Sequence, residues 1–259
     1  MKISSFFLCL LSDVWERQLC GFFQERTTKR LVLDDVVPAA FSALLHYACC
    51  VPRPAPPSFF ELVDLALLAD RFAIEPLRVA LEKEAARRIT PVECPALLNL
   101  AVAADTGLAI LPSAAAALAC RRFEAVAATA EFVSLLPAAL YSVVDDDHLS
   151  TAAEEHVLEA VVCWLRADPA RLDGPAPALL LSAVRFPFIR PEYLEGEAQL
   201  LLPEVPLLEL MAREALHARA SAAIGGCEAG LARPPMSVLS PRALLPRVGP
   251  SPLAARAWV

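Results

Sequence analysis

The sequence predicts a mostly α-helical fold, with a small strand component near the N-terminus that makes the class α+β. Three observations carry this. Alanine and leucine dominate while glycine numbers only 8, and those two residues are among the best helix formers. Apolar residues recur at i, i+3, i+4 and i+7, as in Leu62, Leu65, Ala66 and Ala69, the period of one helix face. Serine, threonine and proline stand where helices should start, as in Thr90-Pro91-Val92-Glu93, where side-chain oxygens accept the first free N–H groups. With 57% hydrophobic and 20% charged residues, the 259-residue chain belongs to the globular class. Its length suits one large or two ordinary domains.

Residues 1–26 hold a short apolar helix, Phe6–Leu11, and then an irregular stretch with Trp15, Phe22 and Phe23. Leu31-Val32-Leu33 reads as a short strand, and Asp34 or Asp35 as the cap of a helix from Pro38 to Ala48. Proline in a first turn does no harm, because its missing N–H has no intrahelical partner. Pro52, Pro54, Pro56 and Pro57 form a loop, after which Ser58 opens a second helix. A third spans Pro76–Ile89, with Glu82, Lys83, Glu84, Arg87 and Arg88 on its wet face. Thr90 to Leu194 reads as a run of short helices. Thr151-Ala152-Ala153-Glu154 is a capping box for one whose Val157, Leu158, Val161, Trp164 and Leu165 share a face, with Pro169 just past its end. A last helix is expected at Pro206–Ala223, followed by a tail from Gly225 without predicted structure.

The formal net charge of −7 argues against nucleic acid as a partner, since there is no surplus of Lys and Arg to displace phosphate counterions. No apolar run reaches the roughly 18 residues of a membrane span without a charge or proline. Lys2 and Ile3–Leu11 resemble a signal-peptide core, but Ser4 and Ser5 interrupt it and no small-residue cleavage site follows. Cys9, Cys20, Cys49, Cys50, Cys94, Cys120, Cys163 and Cys227 contain no C-x-x-C pair and sit mostly in apolar stretches. They are expected to be reduced and buried.

Several stretches, taken in order, resemble a BTB domain followed by a BACK domain. Leu31–Val36 with Phe41 and Leu44-Leu45-His46-Tyr47 is similar to a BTB strand–helix segment, and Leu65–Leu77 to the next helix pair. Leu97-Leu98-Asn99-Leu100-Ala101 through Phe123 resembles the linking helices. Glu131–Leu135, Asp147-His148-Leu149, Glu154–Leu165, Val184-Arg185-Phe186-Pro187 and Tyr193-Leu194 follow the BACK pattern. The resemblance implies three regions: a partial BTB/POZ domain at 1–89, an all-helical BACK domain with its linking helices at 90–200, and a C-terminal helix and irregular tail at 201–259.

That family implies a non-catalytic, kelch-like adaptor that bridges a cullin scaffold protein of a ubiquitin ligase to a substrate protein, in the cytoplasm or nucleus. Its cullin grip uses a hydrophobic-x-Glu motif, which Phe23-Gln24-Glu25 fits, with Tyr47 as a third contact residue. On this resemblance the chain is expected to start in the middle of a BTB domain, without the opening strands and first long helix that build the usual BTB dimer, and no kelch module is expected after Leu194. Two rival readings are a scaffold in transcription or cytoskeletal assembly, and a truncated product without competent function.

Catalytic, cofactor and metal sites are not expected. His148, His156 and Asp145-Asp146-Asp147 invite a metal reading, but the acidic run is read as lying beside a helix start, where the dipole favours negative charge. Glu154 and Glu155 are read as capping and surface residues, Trp164 as core and Arg185 as an internal ion-pair member. Gly225-Gly226 lacks a phosphate-loop frame, and no nucleophile–base–orienter set emerges.

Overall fold

Helices account for every regular element in the computed structural model, which describes residues 3–28, 30–49, 57–103, 106–196, 206–225 and Arg247. The chain divides into two compact units, Met1–Ile89 with Ala104–Ala114, and Thr90–Ala103 with Ala115–Val259. Pro52, Pro54, Pro56, Cys50, Gly226, Cys227 and the tail beyond Arg247 lie outside the described residues.

The first unit opens with α1 (Ser5–Leu11) and α2 (Asp13–Cys20), which pack together, and α3 (Gln24–Thr28) follows. The stretch expected to be irregular is therefore helical. Ser12 explains why: its hydroxyl accepts the Trp15 N–H at 3.2 Å and donates to the Phe72 carbonyl at 2.5 Å, so one residue caps α2 and ties it to a distant turn. Trp15 is thereby fully buried, with Phe41 and Phe72 rings at 5.8 and 4.9 Å. Such edge and tilted contacts suit the ring quadrupoles.

Leu31–Leu33 form no strand. An extended segment needs a ladder partner to become one, and there is no other strand among the described residues. Nor does an aspartate cap the next helix, α4 (Pro38–Ala48); Val37 holds that position and Asp35 takes a left-handed turn at φ 62°. Ser58 does cap α5 (Phe59–Arg71), accepting the Glu61 N–H at 3.2 Å, and Leu62, Leu65, Ala66 and Ala69 are buried as expected. α6 (Glu75–Ala86) packs on α5.

Glu82 overturns its assignment to a wet face. It is completely buried and accepts the N–H groups of Ile110 and Leu111 at 2.7 and 3.0 Å, capping the start of α8 (Ile110–Arg121) from another helix. Arg78, one turn earlier, pairs with Glu82 and Glu75 and donates to the Gly107 carbonyl at 2.6 Å. Asp70 accepts the Gly107 N–H at 2.9 Å, and a Cβ at Gly107 would lie 2.2 Å from Asp70 Oδ1. A side chain at this position would have to displace the Asp70 carboxylate that accepts its N–H. The Glu84–Arg88 pair remains on the surface as its spacing suggests.

The second unit begins where Thr90 donates its N–H to Glu93 at 3.0 Å, half of the expected capping box, ahead of α7 (Cys94–Ala103). α9 (Phe123–Ala127), α10 (Pro137–Val144), α11 (Glu154–Arg166), α12 (Ala176–Ala183), α13 (Pro191–Glu195) and α14 (Pro206–Gly225) complete it, with short 3₁₀ turns between. α10 packs on α7 and α12, α11 on α12, and α12 on α14. Val157, Leu158, Val161, Trp164 and Leu165 of α11 are all buried. Each large apolar side chain so buried stabilises by about 1.5–3 kcal/mol. Trp164 also donates its indole N–H to the Leu135 carbonyl at 3.0 Å, while the Arg171 guanidinium lies 3.9 Å from its ring centroid.

Candidate protein interaction surfaces

In the first unit the feature that stands out is exposed apolar surface. Phe22 is fully exposed and Phe23 is 59% exposed in the bend between α2 and α3; Glu25 lies in the first turn of α3, partly exposed. Tyr47, in the last turn of α4, is half-buried. Phe23 and Glu25 thus belong to one segment and Tyr47 to another helix of the same unit. Phe6 and Leu10, spaced i, i+4 on α1, and Phe60 on α5 are also exposed. Single exposed apolar residues are ordinary on a surface, and it is a contiguous apolar patch that marks an interaction site.

The second unit instead carries internal charge pairs. Glu154 and Glu155, expected as cap and surface residues, are both buried. Ala153 holds the N-cap of α11 without a side-chain bond, and the Thr151 hydroxyl contacts Glu124 and the Ala153 carbonyl. Glu154 accepts the Arg185 N–H at 2.9 Å, and Glu155 accepts both the Arg190 N–H at 3.0 Å and its side chain at 2.7 Å. Burial alone would raise the Glu155 pKa, but the bonds from Arg190 outweigh it and hold the carboxyl below its usual range. Arg185 forms the expected internal ion pair, with Asp147 at 2.5 Å. Residues 145–147 follow the C-terminal end of α10 rather than a helix start. The dipole there disfavours negative charge, so pairing with arginine has to stabilise the run.

His156 meets Glu124 at 2.9 Å, and the Ala152 N–H meets the same carboxyl oxygen at 2.9 Å; the Ala152 bond first and the His156 bond second lower the Glu124 pKa. Among the described residues there is no group of three His, Cys, Asp or Glu side chains gathered for a metal. Burial pushes the Cys94 and Cys120 thiols up to about 12. Cys20, Cys49 and Cys163 are exposed and Cys9 is half-buried, against the expectation of burial; periodicity placed Cys163 on a helix but not on its outer face. The residues that sequence reasoning missed are Ser12, Asp70, Arg78, Glu82 and Glu155. Arg78–Glu82 spacing was a visible signal for an ion pair, yet not for a buried one.

Residues 96–199 match the family model described as BACK: BTB And C-terminal Kelch. Kelch-like protein 41 of Homo sapiens is 31% identical over 161 residues, 62% of this chain and 26% of that protein. Kelch-like protein 40 of Xenopus tropicalis is 24% identical over 192 residues, 74% of this chain and 30% of the relative. Kelch repeat and BTB domain-containing protein 8 of Danio rerio is 31% identical over 74 residues, 29% of this chain and 12% of the relative. The aligned region is thus under a third of each relative's length. The helical second unit contains a BACK domain. Residues 96–199 are thus similar to BACK domains, and the longer aligned stretch is similar to kelch-like proteins.

Proposed function

We propose that the chain is a non-catalytic adaptor that holds a cullin scaffold through its first unit and thereby brings a substrate protein to a ubiquitin ligase. The observation that carries this reading is the BACK match over residues 96–199 together with kelch-like relatives. The resemblance of Phe23-Gln24-Glu25 to the family's hydrophobic-x-Glu grip, and the exposure of Phe23, support it further. An exposed aromatic can supply the apolar anchor of an interface, and a neighbouring carboxylate can add a charge-assisted contact. An adaptor acts by raising the local concentration of substrate near the transfer site, which needs docking surfaces and no chemistry of its own. An intracellular location, in the cytoplasm or nucleus, belongs to the same proposal.

A pull-down of purified full chain with the N-terminal helices of a cullin tests it. Capture is expected, and Phe23→Ala or Glu25→Ala should weaken it at least about tenfold, the loss of one interface hot spot. A chain that is folded by circular dichroism and captures nothing rejects the adaptor reading. Capture unaffected by both substitutions rejects the assigned residues.

A further inference from the structure

A buried arginine from the C-terminal tail occupies a built pocket in the second unit. Arg247 donates Nε–H to Glu154 Oε2 at 2.9 Å and one Nη to Glu154 Oε1 at 2.8 Å. Its other Nη donates to the carbonyls of Val144 and Asp146, both at 2.8 Å. The Arg247 and Glu154 side chains are 8% and 6% exposed. Four donors are thus used in one plane by acceptors from two places, the start of α11 and the end of α10.

The geometry points to a guanidinium-reading socket on the BACK domain, built from Glu154 and the Val144 and Asp146 carbonyls, whose resident ligand is Arg247 of the chain's own tail. Three features argue for recognition of this chemical group. The two Glu154 oxygens meet adjacent nitrogens of the guanidinium fork, a pairing that a lysine ammonium cannot reproduce. The carbonyls lie at the C-terminal end of α10, where a helix leaves acceptors unsatisfied and favours a cation. The guanidinium bonded to both Glu154 oxygens is that of Arg247. The Arg185 side chain pairs with Asp147 at 2.5 Å, and its backbone N–H donates to Glu154 at 2.9 Å. Burial first, and the nearby Arg247 charge second, depress the Arg185 pKa. Each of the two neighbouring guanidinium groups has a carboxylate counter-ion, Asp147 for Arg185 and Glu154 for Arg247. A cavity of about 340 Å³ adjoins the socket, with Leu149 and Phe188 on its apolar side. It is at the small end of ligand pockets, enough for side chains next to the arginine.

Arg247→Ala in the full chain empties the socket. It is expected to lower the melting temperature by roughly 5 °C, because buried Glu154 loses both guanidinium bonds from Arg247. Low-millimolar ethylguanidinium should restore most of that loss, and ethylammonium should not. The peptide Leu-Leu-Pro-Arg-Val-Gly-Pro, residues 244–250, should bind this variant by calorimetry, while its lysine analogue does not. Both effects should vanish in Arg247→Ala/Glu154→Gln. Equal rescue by the two cations, or rescue that survives Glu154→Gln, overturns the socket. A measurement on the unaltered chain covers the case in which Arg247→Ala fails to fold. Arg247 should react with phenylglyoxal several-fold more slowly than exposed Arg213, read by peptide mass, and equal rates overturn the assignment.

Discussion

The two units use similar apolar helices to opposite ends. In the second, the aromatic residues Phe123, Phe132, Trp164 and Phe186 are fully buried, and the charged residues at the start of α11 are paired within the unit. In the first, Trp15 makes an aromatic core, yet Phe22, Phe23, Phe60 and Phe6 stay largely in solvent. The contrast teaches where each unit's aromatic surface goes. Both units leave aliphatic side chains such as Val32 and Leu210 exposed, but among the described residues the first unit exposes four phenylalanines and the second only Phe188, so more aromatic surface remains in water in the first.

The strongest way to break this comparison is to exchange the roles of one residue from each unit. Trp164→Ala should cost about 3–5 kcal/mol in denaturant unfolding, since it removes a buried indole, its bond to Leu135 and the surface on which Arg171 rests. Phe22→Ser should change stability by less than about 0.5 kcal/mol, because a fully exposed ring has little to lose on truncation. If Phe22→Ser were as damaging as Trp164→Ala, the exposed aromatics would be part of a core and the contrast would fail.

A smaller effect sharpens the account of the second unit's internal charges. Glu155 has a carboxyl held below its usual range in the folded chain, so it contributes stability that is present above the unfolded value of about 4.3 and lost as pH falls through the lower folded value. Glu155→Gln should therefore cost about 1–2 kcal/mol at neutral pH, the scale of a hydrogen bond to a charged group. The gap between variant and parent should close as the pH drops below 4. A gap that stays constant down to strongly acidic pH would show that Glu155 acts through packing alone.

Much of this organisation was legible in the sequence because it rests on local rules. Ser58 announced α5, and the 3.6-residue period of Val157, Leu158, Val161, Trp164 and Leu165 announced the buried face of α11. Arg185 as an internal pair member also followed from the resemblance to BACK domains. What escaped was every assignment that depends on a partner far along the chain. Glu82 looks like any surface glutamate until α8 presents its N–H groups, 28 and 29 residues later. Glu154 and Glu155 read as a cap and its neighbour because the arginines that meet them lie 31 and 93 residues away for Glu154 and 35 for Glu155. The Leu31–Leu33 strand failed for the converse reason: propensity proposed it, and strand formation needs a second segment. Of the candidate interface, Phe23 and Glu25 came from the resemblance, but nothing in periodicity foretold that Phe22 and Phe23 would be exposed.

The smallest prediction concerns a turn in the first unit that holds against its own chemistry. Ala73 adopts φ 52°, just after α5. The Ala73 N–H bonds the Asp70 carbonyl at 2.9 Å and the Ile74 N–H bonds the Ala69 carbonyl at 2.8 Å, the paired pattern of a Schellman end, with Ile74 buried beyond it. The left-handed conformation costs a residue with a Cβ about 1–2 kcal/mol, and glycine escapes that cost at the expense of a more flexible unfolded chain. Ala73→Gly should therefore stabilise the chain by about 0.5–1 kcal/mol, read as a higher denaturant midpoint with an unchanged slope. The gain should come without altering the exposure of Phe22 or Phe23. A destabilised Ala73→Gly would mean that the methyl group makes packing contacts worth more than the strain it carries, and that this turn belongs to the closed part of the first unit's core.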